Sequence, residues 1–437
     1  MKTFRKGGIH PPEEKLTASS PVRRIETPSE LRILLSQCIG APSKCIVRPG
    51  DTVSHGQMIA EAGGFVGAPL HSPVDGTVKK IEKTRTLRGT WADAIVIEPS
   101  GTPSDACSTP APRSLADALR LSHAELRAIV ADAGIVGLGG ATFPTRVKIT
   151  VPEGKCADFI IINGAECEPY LTCDDRLMQE APESVLAGTR LLMNAASAPA
   201  AIIGIEENKP EAIAAMRRVC RGLRDISVAT LKKKYPQGSE KQLVEALTGR
   251  RIPAGALPLD AGCIVDNVAT AAAVHDAVCL HHPLTERIVT VTGPSLSRPG
   301  NYLVPFGTPL SLLLEAAGGL PDDTGKVIAG GPMMGQAVAT LDAPTVKGLS
   351  GLLVLPESMA RRPAHAPCVR CARCVDACPM GLAPYLLTAQ AERGLWADAR
   401  DNHAAACLEC GSCSYVCPSS RPLLDFIRLA KAEARKL

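Results

Sequence analysis

Cys368, Cys371, Cys374 and Cys378 form the run CVRCARCVDACP, and Cys407, Cys410, Cys413 and Cys417 form CLECGSCSYVCP. Both read Cys-x2-Cys-x2-Cys-x3-Cys-Pro, and each cysteine recurs 39 positions later (407 minus 368, 417 minus 378), so the segment is an internal duplication. Iron in an iron-sulfur cube is tetrahedral and soft, which suits thiolates. Three close cysteines wrap three corners, and the fourth, followed by a turn-forming Pro, reaches away. Where two such runs occur together, the distal cysteine ligates the other cube. The expected sets are Cys368, Cys371 and Cys374 with Cys417, and Cys407, Cys410 and Cys413 with Cys378, each holding a 4Fe-4S cluster. Zinc is the weaker assignment, because structural zinc sites pair two Cys-x2-Cys knuckles across a longer gap. The chemistry is electron transfer.

A second set of residues has the types needed to hold a nucleotide. GLGGATFPTRVK places Gly137, Gly139 and Gly140 before Phe143, and then Arg146 and Lys148. Glycines let backbone N–H groups approach a phosphate, and the two cations offer countercharge, although a purely structural turn would have the same composition. The spacing is not that of a Rossmann G-x-G-x-x-G, and no obvious strand precedes the loop. NGAECEPY puts Asn163, Glu166 and Glu168 at the carboxyl end of an apolar run, where α/β sheets bind ligands. KKKYPQGSEKQL carries three lysines that suit a solvated charge run, followed by Gly238 and Glu240 at a helix start. VDNVATAAAV, with Asp266, Asn267 and Thr270, reads as a helix N-cap whose free N–H groups suit a phosphate equally well.

These residues need a scaffold of several domains, and a chain of 437 residues supports roughly three or four. Hydrophobic residues make up 45% and charged residues 21%, an ordinary balance for a folded chain. A net charge of +4 with no basic stripe interleaved with aromatics argues against nucleic acid. The 17 cysteines are odd in number and the basic start is not followed by an apolar run, which favours a reducing compartment. The most apolar long stretch, from Val185, is broken by Arg190, Asn194 and Pro199, so no membrane span is expected.

Along the chain, residues 1–105 are rich in Gly, Pro and short β-type runs. The half-motifs VRPGDTVSHGQMIAE from Val47 and APLHSPVDGTVKKIE from Ala68 suggest a lipoyl-like barrel-sandwich. Its turn offers Val74-Asp75-Gly76 where a carrier domain presents a lysine, so its expected role is structural. A linker is expected from Pro99 to Ser114, then a capping box of Ser122 and Glu125 opening a helix that stops at Gly134. Residues 113–282 alternate apolar runs with helical patterns, which predicts a parallel, doubly covered sheet of Rossmann-like α/β type. Residues 283–350 read as a small mixed α+β unit, PESMARRPAHAP as a linker, and 360–437 as a helical di-cluster domain. The nine remaining cysteines show no ligand spacing and are expected to be buried and reduced.

GLGGATFPTRVK, NGAECEPY, YPQGSEKQL and DNVAT, in this order, resemble the NADH- and FMN-binding domain of the flavoprotein subunit of respiratory complex I. With the front barrel, TGPSLSRPGNYLVPFGTPL and GGPMMG of an SLBB-like β-grasp unit, and the duplicated cysteine run, the whole chain resembles the RnfC/RsxC family, found in Rnf/Rsx electron transport complexes.

That resemblance implies NADH oxidation at non-covalent FMN, with electrons passed through two 4Fe-4S clusters to other subunits, membrane-embedded ones included, of an ion-pumping complex. It implies ferredoxin or flavodoxin as electron partner, and a peripheral location on the cytoplasmic side of the bacterial inner membrane. By residue, it implies that Gly137, Gly139, Gly140 and Lys148 wrap the FMN phosphate region and that Phe143 stacks on NADH. Asn163, Glu166 and Glu168 line the flavin and nicotinamide site, Gly238 and Glu240 border it, and Asn267 and Thr270 take the phosphate. The complex I flavoprotein carries acidic residues where this chain has Ala165 and Ser239. A relay without its own NADH site is the alternative within the same family. A quinone-binding relative is disfavoured, since that resemblance lacks the duplicated cysteines. NADH gives up two electrons as hydride while a cube takes one, so a flavin between them is chemically required, and hydride transfer needs no acid or base residue.

Overall fold

The structure, a computed structural model, describes residues 1–100, 110–253 and 255–437. Its central sheet shows within a single strand why both faces are covered. In Phe159–Gly164, Ile160 and Ile162 enter one core with Val185, Leu191 and Val268, whereas Ile161 enters another with Leu243 and Val265. A strand that is apolar on both sides needs helices on both sides. Pro182–Ala196 and Val268–Cys279 supply one face, and Glu240–Thr248 supplies the other. The four strands Ile226–Leu231, Ala200–Glu206, Phe159–Gly164 and Cys263–Asn267 lie in that order, all parallel. The chain steps outward from Phe159–Gly164 and then returns to its far side as Cys263–Asn267. This reversal opens a crevice at the carboxyl ends of the two strands.

The front unit pairs two antiparallel sheets. Leu31–Leu34, Trp91–Pro99, Gly76–Arg85 and Thr52–Val53 form one, and Lys44–Cys45, Met58–Glu61 and Leu70–His71 form the other. In its Val74-Asp75-Gly76 turn, the Asp75 carboxylate accepts from the His55 N–H at 2.8 Å. Of the linker expected between Pro99 and Ser114, residues 101–109, Cys107 among them, lie outside the described residues. The capping box forms: Ser122 and Glu125 satisfy each other's backbone N–H groups at the head of helix His123–Asp132.

A six-stranded mixed sheet follows, in the order Val22–Arg24, Gly300–Pro305, Glu286–Thr292, Gly351–Pro356, Thr324–Ala329, Gln336–Ala337, with helix Leu310–Ala316 packed on it. Two of its strands come from outside residues 283–350. Val22–Arg24 crosses from the front of the chain to pair with Gly300–Pro305, and Gly351–Pro356 sits between two of the others. All six residues of Gly351–Pro356 are buried, so its sequence shows no alternation to mark it as a strand. The C-terminal region is helical around its cysteines, with Pro384–Glu392 packed on Leu423–Ala434.

The first residues strap the molecule together rather than joining the barrel. Lys2 bridges to Leu231 and Ile9 to Tyr235, and the Gly8 N–H donates to the Ala377 carbonyl at 3.0 Å. A Cβ on Gly7 would run into the Cys378 carbonyl, so the strap lies directly against the cysteine region.

Candidate functional site

The glycine loop folds on itself before it meets the sheet. The Gly137 N–H donates to the Phe143 carbonyl at 2.9 Å, and the Leu138 N–H donates to Thr270 Oγ1 at 2.9 Å, which fastens the loop to the first turn of helix Val268–Cys279. Asn267 caps that helix by accepting from the Ala269 N–H at 2.8 Å, and its amide donates to Asp174 at 2.6 Å. Gly139 and Gly140 are exposed, Gly139 lies beside Asn267, and among the described residues neither backbone N–H has a protein acceptor. A Cβ on Gly140 would meet nothing within 4 Å. Free loop amides next to a helix N-terminus make a cradle that fits a phosphate.

The expected countercharge is arranged differently. Arg146 turns to the front barrel, where it donates to the Phe65 carbonyl at 2.6 Å and stacks on its ring. Its guanidinium is thus engaged with the barrel. Lys148 spans the crevice to Glu240 at 2.9 Å, the Val265 carbonyl at 2.8 Å and Asp266 at 3.8 Å. Asp266 is fully buried, its two oxygens lack hydrogen-bond partners among the described residues, and burial pushes its carboxyl up to about 6 despite Lys148. Phe143 is half-buried beside the loop.

The strand-end loop is held from beneath. The Asn163 amide donates to the Gly238 carbonyl at 2.9 Å and its oxygen accepts from the Ala165 N–H at 3.1 Å, which brings the two expected loops together. Glu166, in a left-handed conformation, accepts from the N–H groups of Asp174 and Asp175 at 2.8 and 3.3 Å. Glu168 accepts from the N–H groups of Met333 and Met334 at 3.0 and 2.8 Å, and burial raises its carboxyl to about 7. Both carboxylates thus position backbone rather than face an open crevice. Glu166, Cys173 and Asp174 lie within metal-ligand distance of one another, but the two carboxylates are committed to these hydrogen bonds.

Sequence reasoning missed the cations beneath the loop. Lys15 donates to the carbonyls of Glu166, Glu168 and Leu171, and buried Lys209 to that of Ala165 at 2.8 Å. Lys15 lies about 150 residues from its partners, so spacing carries no sign of it. Of the lysine run, Lys233 pairs with Glu13 at 2.6 Å and Lys234 sits over the Phe4 ring, so these two bind the strap rather than standing solvated.

The cysteines gather in two groups. Cys378 lies with Cys407, Cys410 and Cys413 around one cavity of about 360 Å³, counting its open mouth. Cys374 lies within electrostatic reach of Cys368 and Cys417. Burial raises the thiols of Cys374, Cys407, Cys410 and Cys413, and outweighs the attraction of Lys431 for Cys407, so as free thiols they stay protonated. A soft metal that takes the thiolates removes that cost, so the donor set fits an iron cube. The first group is the inner one. The Tyr235 hydroxyl donates to the Cys410 carbonyl at 2.9 Å, and Gln242, on the helix that begins at Glu240, donates to the Pro379 carbonyl at 3.4 Å. The other group is outer, with Cys368 and Cys371 exposed. Eight of the remaining cysteines are described, and all eight are free. Cys156 is exposed and Cys38, Cys45 and Cys167 are half-buried, so burial is less general than their lack of spacing suggested.

Four family profiles match. "RnfC Barrel sandwich hybrid domain" covers residues 2–102, "Nuo51 FMN-binding domain" 130–276, "SLBB domain" 288–337 and "4Fe-4S dicluster domain" 367–421. The chain is 41% identical to the C subunit of the Proton-translocating ferredoxin:NAD(+) oxidoreductase complex of Clostridium ljungdahlii, over 100% of this chain and 94% of that protein. It is also 41% identical to the C subunit of the Na(+)-translocating ferredoxin:NAD(+) oxidoreductase complex of Acetobacterium woodii, over 98% of this chain and 96% of that one. Among solved structures, an H2-reduced NAD+-reducing [NiFe]-hydrogenase shares the fold, with a TM-score of 0.53 and 22% identity over 74% of this chain and 64% of that chain.

Proposed function

The chain belongs to the RnfC family, whose members serve ion-translocating ferredoxin:NAD(+) oxidoreductase complexes, and from that premise we propose how its residues divide the work. It is an electron transport subunit with FMN, NADH and two 4Fe-4S clusters as its redox groups, oxidising NADH and passing electrons to partner subunits. Bound FMN supplies the exchange between a hydride pair and single electrons. The N–H groups of Gly139 and Gly140 and the first turn behind Asn267 receive its phosphate, with Thr270 and Gly137 holding the loop in shape. Lys148, Glu240, Asn163 and Gly238 form the crevice walls, Phe143 stands at the rim, and Glu166 and Glu168 fix the loop beneath.

Cys378, Cys407, Cys410 and Cys413 hold the cluster on the crevice side. Cys368, Cys371, Cys374 and Cys417 hold the one on the exposed side. The observation that carries this order is the Tyr235 bond to Cys410, which ties the crevice's own loop to the inner set. We assign residues 1–105, 113–282, 283–350 and 360–437 as the working units, with the first 25 residues acting as a strap. No helix among the described residues is long and apolar enough to cross a membrane. The proposed attachment is therefore through membrane-embedded subunits, at the cytoplasmic face of the bacterial inner membrane, with ferredoxin or flavodoxin as electron partner.

Anaerobic reconstitution tests this reading. Iron, sulfide and flavin are quantified, and NADH is then mixed in a stopped-flow cell. The flavin band should bleach before the iron-sulfur band. A preparation with FMN and intact clusters that ignores NADH would remove the dehydrogenase role and leave a relay.

A further inference from the structure

Ser412 lies in the wall of the inner cysteine cavity and is fully buried. Its hydroxyl stands 3.4 Å from Cys410 Sγ, which is its one hydrogen-bond partner among the described residues. Burial leaves this hydroxyl little choice. While Cys410 is a thiol, its S–H donates to the serine oxygen. Once Cys410 gives up its proton to bind iron, the sulfur has only lone pairs to offer. The hydroxyl must then turn and donate to the sulfur, or stay buried with its proton unpaired at the full cost of desolvation.

The matching corner of the other repeat is built without this group. Positions 373 and 412 are equivalent (412 minus 373 is 39), and the backbone reaches both by the same path. It is left-handed at Arg370 and Glu409, with φ of 57° and 59°, and again at Ala372 and Gly411, with 60° and 76°. The next residue is exposed Arg373 in one repeat and buried Ser412 in the other. Among the described residues, Ser412 is the single side chain that hydrogen-bonds any of the eight sulfurs. The other donors are backbone N–H groups, such as those of Glu409 to Cys407 and Leu382 to Cys378, each at 3.3 Å, and of Tyr385 to Cys374. Cys410 is also the corner that faces the crevice. Its carbonyl accepts from the Tyr235 hydroxyl at 2.9 Å, and it packs with Tyr235, Ile9 and half-buried Cys167.

We propose that Ser412 is a positioning residue for the electron path: acting through Cys410, its hydroxyl raises the reduction potential of the inner cluster and makes it a better acceptor for electrons leaving the flavin. The proposal rests on the reading of Cys378, Cys407, Cys410 and Cys413 as that cluster's ligands. An electron added to a cube spreads negative charge onto its sulfurs, so a donor aimed at one of them binds the reduced form more strongly than the oxidised form. Burial of the inner set works the other way, since a low dielectric disfavours the added charge, but the same low dielectric strengthens the hydroxyl's bond. The one side-chain donor thus stands at the buried set, on the corner nearest the source of electrons.

The test is a redox titration of the reconstituted holoprotein followed by EPR. S412A should make the reduced form of one cluster about tenfold less favoured at a given potential, a shift of about 59 mV for a one-electron couple, and leave the other midpoint in place. S412V should do the same. S412T, which matches valine in shape but keeps a hydroxyl, should leave both midpoints where they are. The valine and threonine variants together separate the hydrogen bond from packing, whatever the alanine variant does to the cavity. Iron, sulfide and flavin contents equal to those of the unmodified protein show that the cluster is intact. Midpoints that agree between S412V and S412T overturn the proposal, as does a shift shared equally by both clusters. An unmodified chain that takes up no iron overturns the ligand reading itself, which is a separate and recognisable failure.

Discussion

Glu168 shows how a polar strand-end residue can serve architecture beside chemistry. Its carboxylate takes the N–H groups of Met333 and Met334, and the Tyr235 hydroxyl stands 3.5 Å away. One side chain therefore links the crevice loop, the GGPMM turn and the inner cysteine set. Glu168→Ala should leave the half-buried Met333 N–H and the exposed Met334 N–H without their acceptor and cost about 1–2 kcal/mol. Thermal unfolding reads that loss, and faster hydrogen exchange at Met333 and Met334 places it. The pH dependence has a definite sign. Burial raises the folded carboxyl from 4.5 to about 7, so its protonated form contributes stability that is full below pH 4.5 and is lost as pH rises to about 7. The alanine variant should flatten that slope, and an unchanged slope would mean that Glu168 titrates as an ordinary surface acid. The eight cysteines were legible in the sequence because a cube imposes its spacing on neighbours in the chain. The duties of Glu166 and Glu168 were not, because their partners come from helix ends, from Lys15 and from the turn at Met333.

Helix Val268–Cys279 carries Asn267 and Thr270 into the crevice and leans on helix Pro182–Ala196 at Gly188. A Cβ at Gly188 would overlap the Ala271 carbonyl. Gly188→Ala gains about 1 kcal/mol of helix propensity but meets rigid backbone, where overpacking costs roughly 1–3 kcal/mol or more. The clash should win. Expected outcomes are a lower unfolding midpoint and, because the crevice end of the helix must shift, weaker retention of FMN on a desalting column. Full retention with an unchanged midpoint would show that the two helices slide apart freely. Elements with a pattern of their own were readable. The capping box at Ser122 and the alternation of apolar runs with helices both reappear. Val22–Arg24 and Gly351–Pro356 were not, since short or wholly buried strands take their identity from neighbours far along the chain.

Among the links that join the units of the molecule, Lys347 is fully buried. Its ammonium group donates to the Pro69 carbonyl of the barrel at 3.1 Å and the Gly134 carbonyl ahead of the glycine loop at 2.6 Å, while its own carbonyl accepts from Arg287. Three units meet at this point, and burial lowers the amine to about 8. Lys347→Met should keep the volume but orphan two carbonyls, for a loss of about 2–4 kcal/mol. Protease nicking near the barrel junction should then outpace that of the unmodified protein, and equal rates would show that the units hold together without it. The crossing of the cysteine sets has a consequence for biogenesis. With Cys378 seated among Cys407, Cys410 and Cys413, and Cys417 beside Cys374, neither repeat is self-sufficient. On the ligand sets proposed above, a nascent chain that has emerged only as far as Met380 can finish neither metal centre, so iron insertion waits for Cys417, and a stop ahead of Cys407 empties both.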